Sequence, residues 1–225
     1  MSNGVTSIGQ NLTINTLGAP ITINSVMGSS TDKSLTLNAD STANGDGANA
    51  GETITIGAIG SGNEIGAVTL DGADGITLNG SITAAGDSND AAGGASVDPG
   101  GDVVFTGKVF LADNITIDTD STGNDGVVTF TGTASTVNSS AANTPKSLTI
   151  TSGSGAVTFD GVVGGVATKH LHDLIVNSTA GTGQIDIVGI GTSGDPGAEG
   201  TVTLGNDLSA GVDFDGTSYD IGGSD

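Results

Sequence analysis

A short motif, in which Thr stands between two large apolar residues, recurs along this chain and constrains its fold more than any other feature. It reads Leu-Thr-Ile at residues 12–14, Val-Thr-Phe at residues 128–130 and Val-Thr-Leu at residues 202–204. Strict alternation with β-branched residues predicts short strands with apolar side chains inward and Thr outward. Gly, Asn, Asp and Ser fill most of the sequence between the motifs, as is typical of turns. The sequence therefore predicts an all-β fold.

The spacing of the motifs selects one all-β architecture. One set of strands begins at Leu12, Ile54, Ile76, Val103, Val128, Val157, Ile185 and Val212. A second set begins at Leu35, Val68, Ile115, Leu148, Leu174 and Val202. Weaker apolar patches lie between the sets, which gives three strand positions in each period of about 27 residues. We therefore expect a parallel, right-handed, three-sided β-solenoid (β-helix) of about eight coils, in preference to a chain of antiparallel β-sandwich modules.

The boundaries and faces of this solenoid follow from the same spacing. Residues 1–225 form a single domain, with longer turn insertions near 39–52 and 85–100. The segment 66–72 returns nearly unchanged as 155–161, yet Val68 belongs to the second set and Val157 to the first. The assignment of faces in the N-terminal third therefore stays open. Thr149 and Thr158 are expected to point outward, and the following residues inward: Leu148, Ile150, Val157, Phe159, Leu174, Val176, Ile185 and Ile187.

The charge of the chain excludes several classes of function. It has 25 acidic residues against 4 Lys and Arg, and a formal net charge of -21. Such a surface repels nucleic acids and anionic membranes, and it attracts cations. There is no Cys, and no apolar run approaches the roughly 20 residues of a membrane span. Because no signal peptide precedes the first repeat, the chain is either cytoplasmic or a fragment of a longer exported repeat protein, and we favour the second, extracellular interpretation.

Two loops rich in Asp and Asn are the candidate metal sites. The first contains Asp40 and Asp46, and the second contains Asp118, Asp120, Asn124 and Asp125; both are expected to leave strands of the same set. Alternating carboxylate and amide oxygens with Gly suit Ca²⁺. The second loop is not an EF-hand, because Thr129 stands where the twelfth-position Glu would be. The competing interpretation is a pair of turns whose side chains cap their own backbone.

Other chemistry has less support. His170 and His172 lie on one side of an extended segment, but two ligands do not complete a metal site, so a solvated loop is favoured. Carboxylates are plentiful, yet there is no phosphate-binding Gly-rich loop, no nucleophile elbow and only one Tyr for stacking on sugars. We therefore expect no enzyme; a polysaccharide-processing enzyme is the least favoured of the functions considered.

The segments 148–161 and 174–178 resemble the repeats of bacterial filamentous-haemagglutinin-like and autotransporter-type surface proteins. This resemblance implies a large secreted right-handed β-helix that acts as an adhesin, a biofilm matrix component or a stalk at the cell surface. Its partners would be neighbouring repeats of a parent protein, or host or matrix glycans. The alternative is an extracellular filament subunit that stacks end to end, because we identify no capping helix at either end.

Overall fold

The computed structural model of the chain describes residues 5–29, 33–40, 51–85, 100–121, 124–132, 135–177 and 181–222. Within these ranges the chain forms short β-strands and no helix, and therefore no helix that could span a membrane. The strands are β1 (Thr6–Ile8), β2 (Leu12–Asn15), β3 (Ile21–Ile23), β4 (Val26–Gly28), β5 (Leu35–Asn38), β6 (Thr53–Ile56), β7 (Val68–Asp71), β8 (Gly75–Leu78), β9 (Ile82–Thr83), β10 (Val103–Thr106), β11 (Val109–Leu111), β12 (Ile115–Asp118), β13 (Val128–Thr131), β14 (Val137–Ser139), β15 (Leu148–Thr151), β16 (Val157–Val163), β17 (Leu174–Val176), β18 (Ile185–Ile190), β19 (Val202–Leu204) and β20 (Val212–Tyr219).

The strands stack in three ladders, and every pairing between them is parallel. The first ladder has the order β2-β5-β7-β10-β13-β16-β18-β20. The second has the order β3-β6-β8-β11-β14 and continues through the C-terminal parts of β16, β18 and β20. The third joins β1 to β4, passes through bridges at Ile59, and continues as β9-β12-β15-β17-β19. The chain is therefore all-β and solenoid-like, as the sequence predicts.

The assignment of faces was partly wrong in the N-terminal third. Leu35 pairs with both Leu12 and Val68, so β5 and β7 belong to the first ladder and not to the second set. Ile54 and Ile76 pair with each other in the second ladder. The interval from Leu12 to Leu35 is shorter than that from Leu35 to Val68. Because the coils differ in length, strands cannot be assigned to ladders from one average repeat length. The near-identity of the segments around Val68 and Val157 gave the correct alignment.

The core consists of columns of identical or similar side chains, one from each strand of a ladder. In the first ladder Phe105, Phe130 and Phe159 occupy successive inward positions. Their rings stack with centroids 4.8 and 4.7 Å apart and interplanar angles of 10° and 5°. Parallel pairing at the strand spacing forces this stacking, because equivalent residues repeat at the same distance as the strands. The eight residues predicted to point inward are at most 1% exposed, whereas Thr149 and Thr158 are only partly buried.

A column of glycines forms the corner that leads into the first ladder. Gly101, Gly126, Gly155 and Gly183 each lie two residues before a strand of this ladder. A Cβ added to any of them would overlap the backbone of the preceding glycine of the column, which begins at Gly66. Their need for glycine is one of close approach, because none of these four has a positive φ. Successive coils therefore touch backbone to backbone at this corner.

The alternation of faces predicts unequal effects of neighbouring substitutions in β16. Phe159→Ala removes the last ring of the stack and should lower the free energy of unfolding by about 3–5 kcal/mol. Thr158→Ala changes a partly exposed side chain and should cost less than about 1 kcal/mol. Urea denaturation of both variants measures the difference. Equal losses would contradict the assigned faces.

Candidate functional site

The carboxylates and amides of the turns bind the backbone of neighbouring coils. Asp74 Oδ2 accepts a hydrogen bond from Gly51 N at 2.7 Å, a residue 23 positions away. Asp173 Oδ1 accepts one from Thr201 N at 2.7 Å, 28 positions away. The same type of contact joins Asn11 to Ser34 N, Asp102 to Val127 N, Asn114 to Ser147 N and Asp160 to Gly132 N. Each satisfies a backbone donor that the strands leave unpaired.

Asp125 is the most heavily bonded of the predicted metal ligands. It lies in the turn between β12 and β13, and its Oδ1 accepts a hydrogen bond from Ser121 N at 2.8 Å. Its Oδ2 accepts bonds from Ser154 N at 2.6 Å and from Ser154 Oγ at 2.7 Å. Ser154 is 29 positions away, in the next coil. Asp125 therefore both shapes its own turn and joins it to the neighbouring one.

The structure brings Asp120 beside Asp125. A Cβ added to Gly153, whose φ is +54°, would lie 2.6 Å from Asp120 Oδ1 and would also overlap the Asp125 carboxylate. The turn between β15 and β16 thus leaves room for both carboxylates above Gly153. Asp118, at the end of β12, accepts a hydrogen bond from Asp120 N at 3.2 Å, which closes an Asx-type turn. Asp118, Asp120 and Asp125 are therefore held close together in the turn that also contains Asn124.

Partial burial, reinforced by the carboxylates of Asp125 and Asp118, raises the pKa of Asp120. Burial also raises the pKa of Asp118, against the opposing hydrogen bond from Asp120 N. Partial burial would raise the pKa of Asp125 as well, but hydrogen bonds from Ser154 and Ser121 prevail, and its pKa is lowered. Two adjacent carboxylates thus differ in proton affinity, and the charge of Asp120 is the less favourable one in the folded chain.

The other predicted loop leaves a different ladder. Asp40 follows β5 of the first ladder, whereas Asp118 ends β12 of the third, so the expectation that both loops leave the same set was wrong. Asp40 N donates to Asn38 Oδ1 at 2.8 Å, again in an Asx-type turn. Burial, together with Asp40 and Glu52, raises the pKa of Asp71. Asp46 lies outside the described residues.

The geometry of a complete metal site is not found in the part of the chain that the structure describes. No group of three or more His, Cys, Asp or Glu is arranged there to hold an ion. Asn124 and Asp125 instead line an open groove of about 420 Å³ with Asp102 and the backbone of Gly66 and Gly101. Asp102 and Asp125 already accept backbone hydrogen bonds at the edge of this groove.

The two histidines bind separate carboxylates. His170 Nε2 is 3.0 Å from Glu199 Oε2, and His172 Nδ1 is 2.8 Å from Asp173 Oδ2. The hydrogen bond to Asp173 raises the pKa of His172, and the charge of Asp173 adds to the effect. Each imidazole thus has its own acidic partner: His172 contacts the adjacent Asp173, whereas His170 contacts Glu199, 29 positions away, so the geometry supports two separate links more than a shared metal.

A buried polar column, which the sequence analysis missed, lines the corner after the third ladder. Ser152 N donates to Asn177 Oδ1 at 2.8 Å, and Asn177 Nδ2 donates to Ser152 Oγ at 3.0 Å. Asn206 Nδ2 continues the column with a 2.7 Å bond to Asn177 O. Thr119 Oγ1 closes the corner of its own coil by donating to Gly126 O at 2.7 Å. The available signal was a polar residue shortly after the last apolar residue of each strand: Asn177 directly after it in β17, and Thr119 and Ser152 two residues after it in β12 and β15.

Comparisons with known proteins give no relative from which a role could be transferred. No protein-family model matches the sequence, and neither the curated proteins nor the solved structures yield a significant match. The function must therefore be argued from the contacts themselves.

The different roles of Asp125 and Asp120 predict opposite effects of substitution. Asp125→Ala removes the acceptor of three hydrogen bonds and should lower the free energy of unfolding by about 1–2 kcal/mol at pH 7. Asp120→Asn removes one of three neighbouring like charges and should raise the free energy of unfolding by about 0.5 kcal/mol. Chemical denaturation at pH 7 measures both effects.

The pH dependence of stability distinguishes these two electrostatic effects from nonspecific destabilisation of the fold. The lowered pKa of Asp125 means that its contribution is present above pH 3.8 and is lost as the pH falls through the lower, folded value. The raised pKa of Asp120 means that its ionisation opposes folding, so the gain from Asp120→Asn should vanish once Asp120 is protonated. A loss of stability in both variants at pH 7 would contradict the assigned roles.

Proposed function

We propose that the chain is a non-enzymatic structural or adhesive module of a secreted bacterial surface protein. In this proposal it forms a right-handed, three-sided β-solenoid of about eight coils that serves as a stalk or adhesin segment. Right-handedness follows from the strong preference of parallel crossover connections for that hand. At about 4.8 Å for each coil the stack would be about 40 Å long. The resemblance of residues 148–161 and 174–178 to filamentous-haemagglutinin-like and autotransporter-type repeats agrees with this proposal.

The observation that carries the proposal is the use of carboxylates as cross-links between coils. Asp74, Asp102, Asp125, Asp160 and Asp173 each accept a backbone hydrogen bond from a coil above or below. A catalytic carboxylate must have a lone pair or a proton available to the substrate, whereas these groups are engaged in holding turns together. Their placement favours a role in rigidity along the stack.

The outward side chains of the strands can form hydrogen bonds with water and with matrix polymers. Outward positions of adjacent strands repeat Thr, as at Thr129 and Thr158 in the first ladder and at Thr116 and Thr149 in the third. Regular hydroxyl rows flanked by acidic turns offer hydrogen-bonding partners to the hydroxyl groups of uncharged glycans. The net charge of -21 disfavours nucleic acids and polyanionic polysaccharides. We therefore infer neutral host or matrix glycans, or neighbouring repeats of a parent protein, as partners.

A polysaccharide panel tests this proposal. Beads that carry neutral or sulfated polysaccharides are incubated with the purified chain, and both retained protein and new reducing ends are measured. We expect saturable retention on neutral polymers, or none on any polymer if the chain is a stalk, and no product in either case. Paired Thr129→Glu and Thr158→Glu substitutions should abolish any retention that depends on the first ladder, with Thr116→Glu and Thr149→Glu as the matched control on the third. Cleavage of any polysaccharide would contradict the proposal.

We further propose Ca²⁺ as an ion that rigidifies the turn of Asp118, Asp120 and Asp125. Oxygen ligands alternate along this turn, and a cation would offset both the burial of the Asp120 carboxylate and its repulsion by Asp125 and Asp118, which together raise the pKa of Asp120. Millimolar Ca²⁺ should then raise the melting temperature, and Asp118→Ala combined with Asp120→Ala should abolish the rise. Asp213→Ala with Asp215→Ala removes the same charge from exposed positions and should leave the rise unchanged. A melting temperature that responds neither to Ca²⁺ nor to a chelator would refute this part of the proposal.

A further inference from the structure

Both histidines of the chain lie close together at the corner before the third ladder. Leu171 is completely buried and pairs in parallel with Ala198 of the next coil. Because side chains alternate along an extended segment, His170 and His172 lie on the outer side of the chain. Glu199, which follows Ala198, lies on the same outer side, one coil further along the stack. Residues 170–173 and 198–201 together form the histidine corner.

Each imidazole contacts a carboxylate in the histidine corner. His170 Nε2 is 3.0 Å from Glu199 Oε2, and this contact joins two coils, because the residues are 29 positions apart. His172 Nδ1 is 2.8 Å from Oδ2 of the adjacent Asp173. A backbone hydrogen bond from Glu199 N to Leu171 O, 3.1 Å long, holds the two segments side by side. A proton gained by either imidazole therefore places a positive charge beside a carboxylate and strengthens that contact.

Asp173 connects three successive coils at this corner. Its Oδ1 accepts a hydrogen bond from Thr201 N of the next coil at 2.7 Å. Its Oδ2 accepts one from Ser147 Oγ of the preceding coil at 2.9 Å. Burial alone would raise the pKa of Asp173, but hydrogen bonds from the backbone of Thr201 and from the neighbouring side chains prevail, and the pKa is lowered. Asp173 is therefore ionised throughout the pH range in which a histidine titrates.

The charged groups that face the two imidazoles are carboxylates. Asp173 faces them from their own segment and Glu199 from the next coil. On the preceding coil, Lys146 contributes its backbone oxygen, which accepts a hydrogen bond from His172 N at 3.0 Å. The ammonium of Lys169 lies over an aromatic ring of the second ladder, 5.5 Å from the ring centroid. The surroundings thus favour the protonated imidazoles over the neutral ones.

We propose that the histidine corner is a pH-sensitive link between coils, which protonation of His170 and His172 strengthens in mildly acidic solution. This inference does not depend on the proposed surface role. His170 acts through its ion pair with Glu199, which exists only while the imidazole carries a proton. His172 acts through Asp173, the residue that already joins the coils on both sides.

The sign of the pH dependence follows from the contacts of His172. The hydrogen bond to Asp173 and the charge of Asp173 raise the pKa of His172, and the charge of Glu199 adds to them against the opposing effect of burial. The contribution of His172 to stability is therefore complete below pH 6.5, its ordinary value, and is lost as the pH rises through the higher, folded value. This dependence is opposite to that of Asp125, whose contribution is lost as the pH falls.

Thermal denaturation of the full chain at pH 5.5 and at pH 8 tests the proposal. His170→Gln and His172→Gln each keep a neutral hydrogen-bond donor but cannot gain a charge. Each should lower the melting temperature by about 1–3 °C more at pH 5.5 than at pH 8, as expected for a weak surface ion pair in a chain of this length. With Glu199→Gln already present, the extra loss that His170→Gln causes at pH 5.5 should disappear. An NMR titration should place the midpoint of His172 above 6.5.

Asp213→Asn is the matched control, because it removes an exposed carboxylate from β20 in the first ladder. In that background the extra loss caused by His170→Gln at pH 5.5 should remain. Equal losses at the two pH values for either histidine variant would overturn the proposal. An extra loss that persists with Glu199→Gln would also overturn it, since the charge would then act elsewhere. A midpoint of His172 at or below 6.5 would contradict the assigned sign.

Discussion

Parallel pairing between successive coils is the interaction on which the rest of this structure depends. It fixes one distance, about 4.8 Å, at which every equivalent atom of the chain must repeat. The Phe105, Phe130 and Phe159 rings stack at this distance, with centroids 4.8 and 4.7 Å apart. The glycine column is required for the same reason, because at the corner before the first ladder the repeat leaves no space for a Cβ. Core, corners and turns are thus consequences of one spacing.

The same spacing explains why an acidic chain can stack its turns closely. A carboxylate in one turn lies within hydrogen-bonding distance of a backbone N–H in the next, as Asp125 does with Ser154 N and Asp173 with Thr201 N. Hydrogen bonds to an ionised acceptor are stronger than neutral ones and offset part of the repulsion between neighbouring acids. At Asp120 the repulsion is not offset in this way, since burial and two nearby carboxylates raise its pKa.

The alternating pattern of apolar residues and Thr was sufficient to predict an all-β, solenoid-like chain and the inward side chains of β15 to β18. It was not sufficient to place Leu35 and Ile54, because ladder membership depends on coil length, and the coils are unequal where turns are long. Among the candidate ligands, sequence proximity brought Asp118, Asp120 and Asp125 into one turn. It could not reveal that Ser154, 29 positions later, completes the contacts of Asp125. The buried pair of Ser152 and Asn177 was missed because polar residues after a strand are also typical of exposed turns.

The central claim, that residues one coil apart are direct neighbours in a defined parallel register, can be tested by disulfide cross-linking. The chain has no Cys, so Thr129→Cys with Thr158→Cys introduces a single pair at partner positions of β13 and β16. Adjacent strands hold such residues about 5 Å apart, within the range that a disulfide spans. We predict rapid, nearly complete oxidation to an intramolecular disulfide, and little for Thr129→Cys with Thr149→Cys, which lie in different ladders. Equal oxidation of the two pairs, or none in the first, would contradict the account.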